Sequence, residues 1–569
     1  MTTLRVRRPT GRETADLALV AALGAWVVIG FGMLYGFVQL PSGTAIPFLL
    51  VFGVPGVLGL IALLRRSQAG VLPVVAGCAA AVMLAWVLPF AMSDNPKIAL
   101  AFPVALIGGF AAQRWPTATF VTIFALSGTY GTLTAFTGIS ADSVADKVID
   151  AAWAGVIGRM LIGRQPLKVR ATPLFFMLLG YLVITVMMAF TGPSVGNGVT
   201  ALRLAPLYVS VVLLLGYGAF RDSTLEKLTQ AMVVVSAIVA AYATLRWVIG
   251  PAGKESALQA TDFQRQYNQL AGTGDIKLQG SLPEGNSLGL WTACTIPFLV
   301  AMAVSLRGRM RLIAAGALPL AVIALFGSAQ RAAVSAVVAG ALTIVVLHIL
   351  SRGFRGPRLG IATAAAVVLV ISAAVVYPAI VNNPEKQKRY SNLLTPSQDQ
   401  PFQERLNKWR STVRDITKHP FGHGLGAGNP LSVSHRFEDI GYYNIDNSYL
   451  MIAYDQGLLI LGLFVLTMLV LLVELLAFAI WTRGPTAAGL TTAAAGTLVS
   501  MLVEFMAADY VVTPAIVTGW LIVGLGVAQF GSLRRRSSVG DVRAPGVLEG
   551  IGGVPDREML AHATGARSA

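Results

Sequence analysis

In the stretch GSAQRAAVS, Arg331 is the only Lys, Arg, Asp or Glu between Leu312 and Leu350. That apolar run is about twice as long as one bilayer crossing, so it must fold back on itself, and the Ser-Ala-Gln-Arg step is its polar break. An ionisable group at such a place is a functional candidate by default. The plainer alternative is an arginine that snorkels to the interface. Further along, PFQERLNKWRSTVRDITKHP reads as an amphipathic helix, with Phe402, Leu406, Trp409, Val413 and Ile416 at three- and four-residue steps. Arg405 and Trp409 share a face one turn apart, and Arg410 and Lys418 add to the positive charge. Guanidinium groups suit diphosphates because their planar forks bind phosphate oxygens in pairs and never lose their charge. The competing reading is a solvated basic face drawn to anionic headgroups.

The helix is expected to end at His419, because Pro420 disfavours helical geometry in the residue before it. HPFGHGLGAGNP follows, with His423, Gly424 and Gly426 inside it and His435 a few residues on. Alternating glycines can aim backbone N–H groups inward as an anion-binding nest, and an irregular flexible turn is the alternative. A nucleotide P-loop is excluded, because no Gly-Lys-Ser/Thr follows and no strand leads in. The segment YYNIDNSYLMIAYDQGLLILGLF opens a short helix at Asp446-Asn447, with Asn447, Leu450, Met451 and Tyr454 on one face. Asp446 is either its N-cap or a carboxylate able to take a proton from a hydroxyl.

The elements that must position these groups are membrane helices. Of the 569 residues 55% are hydrophobic and 12% charged, about half the charged share of an ordinary soluble domain. Apolar runs recur near 15–39, 46–64, 70–91, 98–112, 116–138, 148–163, 172–192, 204–221, 229–249, 288–306, 311–328, 332–350, 360–380, 458–480, 485–508 and 511–530. The expected fold is all-α: a polytopic bundle of about 14–16 transmembrane helices, with a large outer loop that holds short helices.

The net charge of +16 does not imply nucleic acid. The basic residues fall in alternate short loops, Arg65-Arg66, Arg114, Arg307-Arg309-Arg311 and Arg534-Arg535-Arg536 among them. That pattern marks the cytoplasmic side and puts both termini there. The expected divisions are N-terminal transmembrane helices over 1–249, an external loop over 250–287 and transmembrane helices with the Arg331 hairpin over 288–380. A large external loop over 381–457, C-terminal transmembrane helices over 458–530 and a disordered cytoplasmic tail over 531–569 complete the plan. Two cysteines, Cys78 and Cys294, both inside apolar runs, argue against a structural metal site.

Four segments, in order, resemble the O-antigen ligase family, which includes Wzy-type polysaccharide polymerases. GSLPEGNSLGLWTACTIP, with Asn286, is similar to the family's turn entering a span. GSAQRAAVSAVVAG is similar to its arginine hairpin, and RLNKWRSTVRDITKHPFGHGLGAGN to its Arg-x-x-x-Trp helix, His-Pro step and Gly-x-Gly turn. DNSYLMIAYDQGLLILG is similar to its His-Asn-x-Tyr-Leu segment. Two positions depart. Asp446 stands where the family's ligases carry the histidine regarded as their base, and Ile460 stands where a glycine is expected.

The resemblance implies a GT-C-like bundle of the bacterial cytoplasmic membrane, without metal or cofactor. It implies transfer of a glycan from undecaprenyl diphosphate to a glycan or glycolipid hydroxyl at the external face, among membrane lipids. Ligase and polymerase are both open, and a flippase for lipid-linked glycans is the alternative of another class. On this reading Asp446, Arg331 and Arg405 are catalytic. Arg410, His419, His423, Gly424, Gly426, His435, Asn447 and Asn286 are expected to line the substrate.

Overall fold

The computed structural model describes residues 115–137, 172–188, 195–217, 222–250, 277–352, 400–428, 445–481, 485–507 and 514–538. The runs near 15–39, 46–64, 70–91, 98–112, 148–163 and 360–380, His435 and the tail beyond Ser538 lie outside them; residues 531–538, expected to belong to a disordered tail, are instead helical. All regular structure among the described residues is helical: α1 (Pro116–Thr137), α2 (Pro173–Met188), α3 (Val195–Tyr217), α4 (Asp222–Ile249), α5 (Gly285–Ser305) and α6 (Gly308–Gly327) come first. They are followed by α7 (Arg331–Arg352), α8 (Gln400–Lys418), α9 (Ser448–Gln456), α10 (Leu458–Trp481), α11 (Pro485–Glu504) and α12 (Ile516–Ser538). Of these, α4, α5, α6, α7 and α10 are long and apolar enough to cross a bilayer by length and composition, and the protein is a polytopic helical membrane protein.

The bundle is built around α5. Nearly every residue of α5 is buried, including Trp291, Cys294 and Phe298, and it packs against α6, α7, α11 and α12. Without water inside the bilayer, association rests on close packing, which small residues permit. The α7–α11 crossing shows this. A Cβ on Gly340 would lie 2.6 Å from the Gly496 carbonyl, one on Gly496 would lie 2.9 Å from the Gly340 carbonyl, and Ser500 Oγ donates to the Ala336 carbonyl at 2.8 Å.

The chain reverses at Ser328–Gln330, between α6 and α7, but the tight hairpin expected around Arg331 is not closed: the two helices barely touch each other and both pack on α5. Among the described residues Ala329 is the one non-glycine with positive φ, at 54°. The amphipathic helix forms as α8, with Thr412 and Ile416 buried and Val413 left 45% exposed, so its apolar stripe is narrower than the sequence spacing indicates. It ends at Lys418, one residue before the His419-Pro420 step, as the proline requires. Helix α9 stops at Gly457, whose φ of 88° suits the residue type that ends helices. A Cβ there would lie 2.7 Å from the Pro420 carbonyl.

Candidate functional site

One end of the bundle collects the chemistry-bearing residues. The C-terminal ends of α6 and α11 and the N-terminal ends of α5, α7 and α9 all meet there. Helix α11 ends at Glu504, and the next three carbonyls become a bracket. Ser448 N donates to Phe505 O at 2.8 Å, Asn447 Nδ2 to Met506 O at 3.0 Å, and Arg405 Nη1 to Ala507 O at 3.5 Å. The Phe505 ring holds the bracket in place, lying 6.4 Å from Phe464 and 6.3 Å from Trp520 between ring centroids.

Arg405, on α8, also meets Asp446: Nε lies 3.4 Å from Asp446 Oδ2, with the two side chains 45% and 19% exposed. Residues forty-one positions apart thus form an ion pair at a partly open surface. The expected capping role of Asp446 is corrected. Asn447 is the N-cap, with Oδ1 accepting from Leu450 N at 3.0 Å, because the helix begins one residue later than the sequence reading has it. Both ends of the Asn447 amide are therefore spent on α9 and on the bracket, and the side chain is buried. The substrate-lining expectation for Asn447 is replaced by a positioning one.

Arg331 opens α7 half-buried at the same end. Its neighbour Gln330 donates through Nε2 to Glu504 Oε2 at 3.2 Å, inside a space that exists because position 289 is glycine: any Cβ there would overlap the Gln330 amide. A buried polar contact thus ties the arginine hairpin to the helix that carries the bracket. The sequence reading passed over Glu504, although an acidic residue in the apolar stretch TLVSMLVEFM carries the same signal that singled out Arg331. The segment Lys277–Glu284 folds onto the hairpin, with Leu278 N on Gly327 O at 2.9 Å. It brings Asn286, whose Oδ1 accepts from Lys277 Nζ at 3.4 Å. Burial pushes the Glu284 carboxyl above the ordinary carboxylate range, against a hydrogen bond from Ser287 and the charge of Lys277.

The glycine turn does something else. Gly426 N and Gly428 N donate to the two carboxylate oxygens of Asp455 at 3.0 and 2.7 Å, and Gly424 N donates to the Asp455 carbonyl at 2.9 Å. The turn aims its N–H groups inward as the sequence suggests, but they are taken by the chain's own Asp455 carboxyl group. Gly424 and Gly426 are therefore corrected from substrate ligands to a latch between this turn and α9. Burial raises the Asp455 carboxyl to about 7, with the amide bonds from Gly428 and Gly426 opposing the shift.

His423 Nε2 lies 2.9 Å from Asp415 Oδ2, and its ring lies 4.3 Å from Tyr454 and 4.6 Å from His419. These residues cluster at the C-terminal end of α9, whereas Asp446 precedes its N-terminus. Nine helical steps separate the two places by about 13 Å, so neither histidine shares the Arg405–Asp446 site. Arg410 is exposed and donates to Asn407 of its own helix at 3.2 Å, and it does not join the pair.

Fold and site together define an integral membrane protein of helices, with an arginine–carboxylate pair and a second arginine at one end of the bundle. Residues 316–465, a stretch that holds Arg331, Arg405 and Asp446, match the family model described as O-antigen ligase. No curated protein matches the chain.

Proposed function

We propose that the protein is a membrane glycosyltransferase that moves a glycan from a polyprenyl diphosphate, undecaprenyl diphosphate in the bacterial cytoplasmic membrane, to a sugar hydroxyl at the external face. The observation that carries this reading is the Arg405–Asp446 pair, 3.4 Å apart at a partly open surface, inside the stretch that matches the O-antigen ligase model. In the resting site Arg405 neutralises Asp446. An arriving diphosphate, with more charge and more acceptor oxygens, competes for the guanidinium and leaves the carboxylate free to accept a proton.

The acceptor hydroxyl then gives its proton to Asp446 as its oxygen bonds to the anomeric carbon. The bond from that carbon to the phosphate oxygen breaks, and its electron pair leaves with the lipid diphosphate. Arg405 and Arg331 stabilise the charge that develops there, the largest electrostatic demand of the step. Single in-line displacement inverts the anomeric centre. Carboxylate and cations supply the whole step from the chain's own side chains.

The test incubates detergent-purified protein with a polyprenyl-diphosphate glycan and candidate acceptors. Expected is transfer that falls at least about 100-fold in Asp446→Ala with the melting temperature unchanged. Full activity in that variant overturns the assignment of the base. Product length separates the two family reactions: a single transfer for a ligase, a ladder for a polymerase. Movement of the lipid-linked glycan across a vesicle without any glycosyl transfer would mean a flippase.

A further inference from the structure

The cluster at the far end of α9 is unused by the reaction above, and it has the makings of a metal site. Asp415 and His419 lie one turn apart at the end of α8, and the Pro420–Gly422 turn brings His423 back beside them. One ligand atom from each of Asp415, His419 and His423 lies within 4.8 Å of the others. The closest approach is the 2.9 Å between His423 Nε2 and Asp415 Oδ2. The backbone that carries them is tied down: Gly422 N donates to His419 O at 2.9 Å, His423 N to Tyr454 O at 2.8 Å, and His419 N to Asp415 O at 3.0 Å. The imidazole of His423 is also packed against Tyr454. Two of the three donors are thus placed before any ion arrives.

The geometry points to a divalent transition-metal site made by Asp415, His419 and His423. Two imidazoles and one carboxylate, with room for water, form the donor set of zinc with an open position; copper binds such nitrogen-rich sets more tightly still. Zinc–ligand bonds of about 2.0–2.2 Å put ligand atoms roughly 3.3–3.6 Å apart. Asp415 and His423 already meet that spacing nearly, and the exposed His419 ring closes the set by side-chain rotation. The ion would pin the end of α8 to the turn that holds α9, and so fix both helices that frame Arg405 and Asp446. It lies away from the transfer chemistry, so the site stands whether or not the proposed reaction does.

The experiment uses full-length, tag-free protein in detergent, stripped with chelator and titrated with Zn²⁺ against a chromophoric indicator. Cu²⁺ then serves as an electron-paramagnetic probe. Expected is one equivalent of Zn²⁺ per chain, weakened at least tenfold in His419→Ala and in Asp415→Asn and kept in His435→Ala, and a Cu²⁺ spectrum with coupling to two imidazole nitrogens. No stoichiometric binding by the wild type, or an unchanged titration in His419→Ala, overturns the site. His419 is exposed, so its removal tests the ligand set without disturbing the core. Melting curves of the stripped variants check that each is folded.

Discussion

Arg405 carries two duties that pull on its geometry differently. It holds Asp446 through Nε at 3.4 Å and reaches the Ala507 carbonyl through Nη1 at 3.5 Å, so the guanidinium is spread across two partners as only a planar fork can be. A lysine keeps the charge but offers a single point of contact. Arg405→Lys is therefore expected to lose most of the transfer rate, about 10-fold or more, and Arg405→Ala on the order of 100-fold, with donor KM rising in both. A lysine variant with wild-type kcat/KM would show that charge alone suffices and that the fork is idle. Arg331 was legible because a charge against an apolar background stands out, and Arg405 and Asp446 because of their places beside Trp409 on an amphipathic helix and at the start of a short one. Their partners were not. The Arg405–Asp446 pairing spans two separate segments, and the Gln330–Glu504 contact joins two helices far apart in the chain. The glycine turn was legible as a set of inward N–H groups, yet their partner, the Asp455 carboxyl, lies in a different segment that no spacing links to the turn.

At the scale of elements, that latch sets a pH dependence. Asp455 is fully buried and its carboxyl is raised to about 7 from 3.8, so between about pH 4 and pH 7 the unfolded chain ionises at this residue while the folded chain holds its proton. Over that window the folded state binds more protons, and stability falls as pH rises, levelling off above about 7. Asp455→Asn, which mimics the protonated side chain, is expected to flatten that part of the melting-temperature profile while matching wild type near pH 4. An unchanged slope in the variant would move the titration to another group. The helix contacts make a second, larger demand. The Gly340–Gly496 crossing leaves no room for a side chain, and Ser500 seals it with a hydrogen bond. Gly340→Leu is therefore expected to separate α7 from α11 at a cost of about 1–3 kcal/mol or more, read as a lower melting temperature in detergent. Among the described residues the helix positions were legible, because apolar length betrays a span. The crossings were not: glycine is frequent in membrane helices, and nothing in sequence says which glycine faces a neighbour.

The whole molecule has a direction, and its basic residues argue for one orientation. Arg307, Arg309 and Arg311 flank the α5–α6 junction, at the opposite end of those helices from the Arg331 turn. Short basic loops are retained in the cytoplasm, so the orientation expected for the proposed function has the Arg331 end outside. In that orientation the basic face of α8 would also be outside, against the same rule, but it belongs to the long segment 381–457. Loops longer than about 60 residues translocate largely regardless of charge. The two ends thus answer to different rules, and single cysteines can separate them. With Cys78 and Cys294 replaced, Lys408→Cys on the exposed face of α8 is expected to react with a membrane-impermeant maleimide in intact cells. Arg309→Cys should react only after permeabilisation. The reverse pattern would put the arginine rim in the cytoplasm, where a hydroxyl acceptor outside the cell could not reach a carbon bonded to the diphosphate that Arg331 and Arg405 are assigned to hold. Labelling at both positions in intact cells would mean that the α5–α6 junction is itself external, and the alternation of basic loops would no longer report topology in this chain.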